Sequence, residues 1–154
     1  MLRFPDGCCF SQGACTFLYR PATDRDVSPR IIVPVVIETI ETLAIVDTGG
    51  VYLVCDPQLA EGMNFDPSER LYAVKLNIRG RVLRGDVYRV SLTLKAEDGH
   101  GSEIEATAFV PRLGPGQIWP WPSFMGLQGC LERLRFAIDP GTNTFYFAPL
   151  TEEG

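Results

Sequence analysis

The sequence predicts an all-β domain with a few short helices, in which the strands form a closed or partly closed barrel. Two observations predict this fold class. Segments of alternating apolar and polar residues recur along the chain, and they are separated by stretches rich in glycine, proline or aspartate. No part of the chain alternates strands with long helices. The length of 154 residues suits one domain of ordinary size.

The first predicted strands form a hairpin. Residues 31–37 are rich in β-branched side chains, and residues 43–46 follow after a short polar connection and lead directly into Asp47. The other predicted strands are short apolar or alternating segments, at residues 51–55, 71–78, 88–94, 104–110, 135–138 and 144–147.

One helix has clear start and stop signals. Asp56 suits the N-cap, Pro57 the first helical position and Gly62 the C-terminal end. Residues 128–135 favour a second short helix, whereas residues 111–123 form a Pro/Gly-rich loop.

The N-terminal segment carries the weakest signal. Residues 1–29 lack clear periodicity and contain several prolines and glycines, so they are predicted to form a peripheral or poorly ordered extension. The folded domain is predicted over residues 30–150.

Charge and composition exclude several classes of partner. The net charge of −5, with scattered basic residues, argues against nucleic acid and against an anionic membrane surface. No apolar run reaches the roughly 18 to 20 residues that would cross a bilayer. Five cysteines, an odd number, without an apolar leader predict reduced thiols in the cytoplasm. The one histidine, His100, lies in a predicted turn, so neither a metal nor another cofactor is predicted.

The most informative segment is Ile45-Val46-Asp47-Thr48-Gly49-Gly50. It places a carboxylate at the end of an apolar strand, where an ionised group without partners is costly. The two glycines allow a tight turn whose N–H groups can point at the carboxylate, and the threonine supplies a hydroxyl. The simpler interpretation of these residues is an ordinary strand end at which Asp47 begins a turn.

This segment resembles the active-site loop of the retropepsin-like aspartic proteases, in which two apolar residues precede Asp-Thr-Gly. A second motif, apolar-apolar-Gly followed by a short helix, comes later in that family. Phe124-Met125-Gly126 is similar to it and stands in the right order, with several predicted strands in between. The resemblance covers about residues 30–148 and implies a retropepsin-like closed barrel with one active-site loop per chain.

The resemblance also implies roles for residues. Asp47 is expected to activate the attacking water, Thr48 to lock two active-site loops together across a dimer, and Gly49 and Gly50 to form the rest of the loop. Residues 71–95 are expected to form a β-hairpin flap with its tip near Gly80. The cleft wall is expected to include Trp121, Ser123, Phe124 and Gly126.

Some residues near the flap and cleft have simpler interpretations. For the two tryptophans, Trp119 and Trp121, packing of a core or lid is favoured over substrate contact. For Arg79, Arg81 and Arg84, the favoured interpretation is the solvated surface of a hairpin.

Hydrolysis by this mechanism needs two carboxyl groups around one water, and the chain has one Asp-Thr-Gly. The second carboxyl therefore has to come from a second copy related by a two-fold axis. The leading hypothesis is a homodimeric aspartic endopeptidase that binds a peptide or protein substrate as an extended strand. A catalytically silent binding or scaffold protein with the same fold is the main alternative. An unrelated β-barrel with a chance Asp-Thr-Gly is a third.

Two departures from the family pattern matter for this hypothesis. Gly50 replaces the usual alanine or serine, so no side-chain hydroxyl supports the ionised carboxylate, and activity is expected to persist toward neutral pH. Val51, Tyr52 and Leu127 stand where many members have a supporting ion pair, so the dimer is expected to rely more on apolar packing.

Overall fold

The computed structural model describes residues 1–150, and strands make up most of its regular structure. The strands in chain order are β1 (Gly13–Thr16), β2 (Leu18–Arg20), β3 (Arg30–Ile37), β4 (Ile40–Val51), β5 (Leu53–Val54), β6 (Tyr72–Ile78), β7 (Arg81–Leu94), β8 (Asp98–Gly99), β9 (Ser102–Pro111), β10 (Ser123–Gln128), β11 (Leu134–Asp139) and β12 (Thr144–Pro149). One α-helix, α1 (Pro57–Met63), and two single 3-10 turns, Pro67–Glu69 and Leu131–Arg133, complete the fold. The predicted all-β class is confirmed.

The strands are divided between two sheets. The larger has the order β2-β3-β4-β10-β5-β9-β7-β6, and the smaller has the order β11-β12-β1-β8. In addition, β3 pairs with β7, Val35 opposite Leu94 and Ile37 opposite Leu92, so the larger sheet curls back on itself. The smaller, separate sheet was not foreseen in the prediction of a closed or partly closed barrel.

Two apolar clusters fill the interior. The larger cluster joins the inward-facing residues of both sheets, including Val35, Leu92 and Phe147. The second cluster lies under the β6–β7 hairpin and contains Ile45, Ile78, Leu83, Phe109, Trp119 and Phe124, among others. Because Ile78 and Leu83 belong to the hairpin and Phe124 to β10, burial of apolar surface holds the hairpin against the strands that carry the two motifs.

The N-terminal segment is not peripheral over its whole length, which corrects that part of the prediction. Strand β1 pairs with β12, Gly13 opposite Phe147, and β2 pairs with β3. Cys15 and Phe17 are buried in the larger cluster. These strands have only four and three residues, and the partner of β1 lies more than 100 residues further along the chain. Neither property leaves a periodic signal in the sequence.

The helix predictions were right for one segment and wrong for the other. The Asp56 carboxylate caps α1 by accepting a hydrogen bond from the Gln58 N–H at 2.9 Å, and Pro57 opens the helix. The helix ends at Met63 rather than at Gly62, and Asn64 is its C-cap, in the left-handed region. Residues 128–135 form only the 3-10 turn Leu131–Arg133, because β10 continues through Gln128 and β11 begins at Leu134. Within residues 1–150, no helix is long and apolar enough to span a membrane.

Candidate active site

Strand β4 carries the Asp-Thr-Gly segment to the mouth of a cavity of about 150 Å³. Asp47, Gly49, Gly50, Phe124 and Gly126 form one side of this cavity. Asp47 is the one acidic residue that lines it, and its side chain is half-buried. The residues of the two predicted motifs therefore come together around a single carboxylate.

The two motifs are adjacent because β10 lies between β4 and β5. It runs parallel to β4, with Gly126 opposite Asp47 and Phe124 opposite Ile45, and antiparallel to β5. Tyr52, at the turn between β4 and β5, has a φ of 64°. Its carbonyl accepts a hydrogen bond from the Gly126 N–H at 2.9 Å, and its N–H donates to the Gln128 carbonyl at 2.7 Å. Backbone hydrogen bonds thus fix the segment that follows Asp47.

Only a residue without a side chain fits at position 126. A Cβ atom there would lie 2.6 Å from the Tyr52 carbonyl oxygen and 2.8 Å from the carbonyl carbons of Gly50 and Val51. These are backbone atoms, so no rotamer change would relieve the contact. Gly126 therefore permits the close approach of β10 to the Asp47 loop.

The polar side chains of the motif are unpartnered in the single chain. Within residues 1–150, neither the Asp47 carboxylate nor the Thr48 hydroxyl has a hydrogen-bond partner, so the expected backbone donors to the carboxylate are absent. Thr48 and Gly49 are exposed. Next to them, Val51 and Leu127 are 37% and 40% exposed. The loop thus presents a polar centre and apolar neighbours to the surface.

The predicted flap hairpin is present. Strands β6 and β7 pair with Ile78 opposite Arg81, which leaves Arg79 and Gly80 as a two-residue turn. Both have positive φ, 51° and 81°, as a tight hairpin turn of this length favours. The Asn77 side-chain oxygen accepts a hydrogen bond from the Gly80 N–H at 3.0 Å. Gly80 itself stands at the tip and does not line the cavity.

The hairpin supplies the other side of the cavity. Leu76, Asn77, Ile78 and Arg79 line it opposite the motif residues. The Arg79 guanidinium lies 5.1 Å from the centre of the Phe124 ring and 5.7 Å from that of Trp121. Arg79 is exposed, as its interpretation as solvated hairpin surface requires, but one side of its guanidinium also packs on aromatic rings at the cavity.

The other predicted cleft residues divide into two groups. Trp121 is half-buried and packs edge-to-face on buried Trp119, with ring centres 5.1 Å apart, which agrees with the packing interpretation. Ser123, in contrast, is fully buried and does not line the cavity. Its hydroxyl instead accepts a hydrogen bond from the Asp56 N–H at 3.0 Å, so it connects β10 to the start of α1.

Tyr52 is a cavity residue whose contact with the hairpin the sequence did not reveal. Its hydroxyl is hydrogen-bonded to the Tyr72 hydroxyl, 2.7 Å away at the start of β6. This hydrogen bond, with a smaller contribution from partial burial, raises the pKa of Tyr52 to about 12. The pair links the active-site loop to the base of the hairpin. Tyr52 stands five residues after Asp47, and this short distance from the motif was the signal in the sequence that could have identified it as a cavity residue.

Comparison with known proteins supports the fold. No family model and no curated protein matches the chain. Among solved structures, the chain is similar to the crystal structure of a retropepsin-like aspartic protease from Rickettsia conorii, with a TM-score of 0.55 and 22% sequence identity. The alignment covers 90% of this chain and 94% of that chain. The chain therefore has a retropepsin-like fold.

Proposed function

We propose that the protein is a homodimeric aspartic endopeptidase in which two copies of Asp47 activate one water molecule. The observation that carries this proposal is the position of Asp47, which lies opposite Gly126 and beneath the β6–β7 hairpin, in a cavity with no other carboxylate. The proposal is also supported by the similar fold of a retropepsin-like aspartic protease, which is a known type of peptidase.

In the proposed reaction, the two carboxyl groups share one proton, because two carboxylates a few ångströms apart cannot both ionise cheaply. The ionised Asp47 takes a proton from the water as the water oxygen attacks the peptide carbonyl carbon. The protonated Asp47 of the second copy donates a hydrogen bond to the carbonyl oxygen. The C–N bond then breaks as the first Asp47 passes the proton taken from the water to the leaving nitrogen, which returns the pair to its starting state with one shared proton.

The surface around Asp47 supports a contact between two copies. The exposed Thr48 hydroxyl and the exposed backbone at Gly49 are polar, whereas their neighbours Val51 and Leu127 present apolar surface. A two-fold axis beside this loop would bury the apolar side chains and give the unpartnered hydroxyl a partner. A peptide would then lie as an extended strand between the hairpin and the motif strands.

The proposal includes a reducing compartment such as the cytoplasm. All five cysteines are free, three of them buried. Disulfides are rare in that setting.

Asp47→Asn tests the chemistry, because the amide keeps the shape of the side chain but cannot accept the proton. We expect the variant to lose cleavage of a denatured protein substrate while its circular dichroism spectrum stays unchanged. Asp98→Asn, at an exposed position without side-chain hydrogen bonds in the described chain, is the matched control and should keep full activity. Full turnover by Asp47→Asn would refute the assignment.

Assembly is measured separately by sedimentation velocity over a concentration series. Thr48→Ala should weaken the dimer, and Thr48→Ser, which keeps a hydroxyl, should preserve it. A chain that dimerises through this loop but cleaves no substrate would favour the alternative of a catalytically silent binding or scaffold protein. A strictly monomeric chain at tens of micromolar, roughly the range of weak dimers, would contradict the proposed enzyme.

A further inference from the structure

We infer that Asp26 is a positioning residue, which holds the tip of the β6–β7 hairpin over the cavity through Arg79 and must release it before a peptide can enter. The inference rests on the proposed function only in treating this cavity as the peptide cleft. Asp26 belongs to the N-terminal segment, outside the two sequence motifs and outside the residues to which they assign roles.

The Asp26 carboxylate is fixed by its own segment. One oxygen accepts hydrogen bonds from the backbone N–H groups of Ala22 at 2.9 Å and Thr23 at 3.3 Å. The other accepts from the Arg79 guanidinium at 3.1 Å, and the Arg30 guanidinium lies 3.9 Å away. The Asp26 side chain is only 6% exposed. A charged acceptor that is already oriented by two backbone donors forms a rigid anchor for a cation.

Arg79 is held on more than one side. Its side chain is 27% exposed, and its guanidinium lies over the rings of Phe124 and Trp121 while it donates to Asp26. Stacking on the aromatic rings removes water from the ion pair and so strengthens it. The tip of the hairpin is thereby fixed to the N-terminal segment and to β10 at once.

A second arginine contributes to the same closed arrangement. Arg81, directly after the turn, donates to the Ile118 carbonyl at 3.2 Å and lies 5.8 Å from the Trp121 ring centre. Loss of the Asp26 contact would therefore loosen the tip without detaching the hairpin. We therefore expect loss of this contact to shift the hairpin tip from closed toward open positions in a larger fraction of molecules.

The small size of the cavity in the single chain favours this release. Its volume of about 150 Å³ is below the roughly 300 Å³ at which small-molecule pockets begin. In the proposed dimer this cavity is one half of the cleft, and an extended peptide is too large for it as it stands, so we expect the hairpin tip to move away from Asp47 and Gly126 when a peptide enters. Arg79 lines the cavity, and its contact with Asp26 opposes this movement. Because the peptide binds only open molecules, its apparent affinity is proportional to the fraction of molecules that are open.

The first experiment is independent of catalysis. Trp119 and Trp121 are the two tryptophans of the chain, and both belong to the aromatic group beneath Arg79 and Arg81. Acrylamide quenching of tryptophan fluorescence therefore reports on how well the hairpin tip covers them. Asp26→Asn keeps an oxygen acceptor for the backbone donors but loses the charge. We expect its quenching constant to rise by about two- to fivefold, the range that corresponds to a partly exposed ion pair.

Matched controls separate the contact from a general change of charge. Asp24→Asn makes the same change two residues away, at an exposed position, and should quench like the wild type. Arg79→Gln removes the same contact from the side of the hairpin and should raise the quenching constant as Asp26→Asn does. Arg84→Gln, on the exposed side of β7, should leave it unchanged. If Asp26→Asn fails to fold, as judged by circular dichroism, the pair of arginine variants decides. Wild-type quenching in Arg79→Gln would overturn the inference.

Steady-state kinetics on a peptide substrate then distinguish a positioning role of Asp26 from a purely structural one. With the hairpin released more easily, Asp26→Asn should lower KM and leave kcat within about twofold. A raised KM would contradict the claim that the contact opposes entry. Because quenching requires neither activity nor dimerisation, failure of this inference is distinguishable from failure of the proposed peptidase, which Asp47→Asn tests.

Discussion

Gly126→Ala is the substitution whose effect the structure predicts most directly. The added Cβ would lie 2.6 Å from the Tyr52 carbonyl oxygen and 2.8 Å from two further backbone carbons of the Asp47 loop. Ordinary van der Waals contact begins near 3.4 Å, so β10 and the loop must separate by about 0.8 Å. That movement stretches the backbone hydrogen bonds that join Tyr52 to Gly126 and Gln128.

The expected loss of stability follows from these contacts. Overpacking of a well-packed region costs about 1–3 kcal/mol. Each weakened backbone hydrogen bond adds up to about 1 kcal/mol. Against this, replacing glycine by alanine restricts the unfolded chain and returns about 0.4–1 kcal/mol. The net destabilisation should be about 2–3 kcal/mol, which lowers the melting temperature by about 4–12 °C for a chain of this size.

Urea denaturation and thermal melting followed by circular dichroism measure this loss. Gly114→Ala is the control, because its Cβ would meet only the Gln117 side chain, at 3.4 Å, in an exposed loop. It should change the free energy of unfolding by less than about 0.5 kcal/mol. If Gly126→Ala were as stable as Gly114→Ala, the close approach of β10 to the Asp47 loop would be wrong. Peptidase activity should fall at least about 100-fold, because the reacting group moves by nearly 1 Å.

Two further predictions concern side-chain chemistry. A Cβ at position 50 would lie 2.9 Å from an Asp47 carboxylate oxygen, so in Gly50→Ser the carboxylate has to move by a few tenths of an ångström, and the new hydroxyl then lies within its reach. Its hydrogen bond favours the ionised form, and the pH–rate profile should move to lower pH. Coincident profiles would refute this effect. Iodoacetamide at about pH 8 should alkylate only exposed thiols, because burial raises the pKa of the other thiols to about 11 or 12. Intact mass spectrometry of the native protein should show two adducts, on the exposed Cys8 and Cys9. A third adduct would show that one of the buried thiols is accessible, the buried ones being Cys15, Cys55 and Cys130.

The sequence was sufficient where a signal is local. The hairpin of β3 and β4 was predicted from β-branched residues and the one of β6 and β7 from alternation, and the start of α1 from Asp56 and Pro57. Each of these features depends on neighbours in the chain. The helix predicted over residues 128–135 failed because Gly129 has a φ of 81° and β10 extends through Gln128 to stay paired with β4. Tertiary pairing thus overrode local propensity.

Within the candidate site, the sequence located the motifs but not the contacts between distant segments. Asp47 and Gly126 came from two short motifs in a fixed order. The contact of Arg79 with Asp26 joins residues 53 positions apart, and that of Tyr52 with Tyr72 joins residues 20 apart. Both involve long or aromatic side chains in positions that are equally consistent with solvent exposure. Only the register of β6 on β7 and the path of the N-terminal segment bring them together.

The contrast between backbone and side chains at the Asp47 loop is the strongest structural argument for a second copy. Backbone hydrogen bonds at Tyr52 and the close packing at Gly126 hold the loop in place. Within residues 1–150, however, the Asp47 carboxylate and the Thr48 hydroxyl have no hydrogen-bond partner. Asp47 is half-buried and Thr48 is exposed, so both polar groups lie where another chain can reach them. In the proposed dimer, an identical loop would supply partners to these groups reciprocally across the two-fold axis.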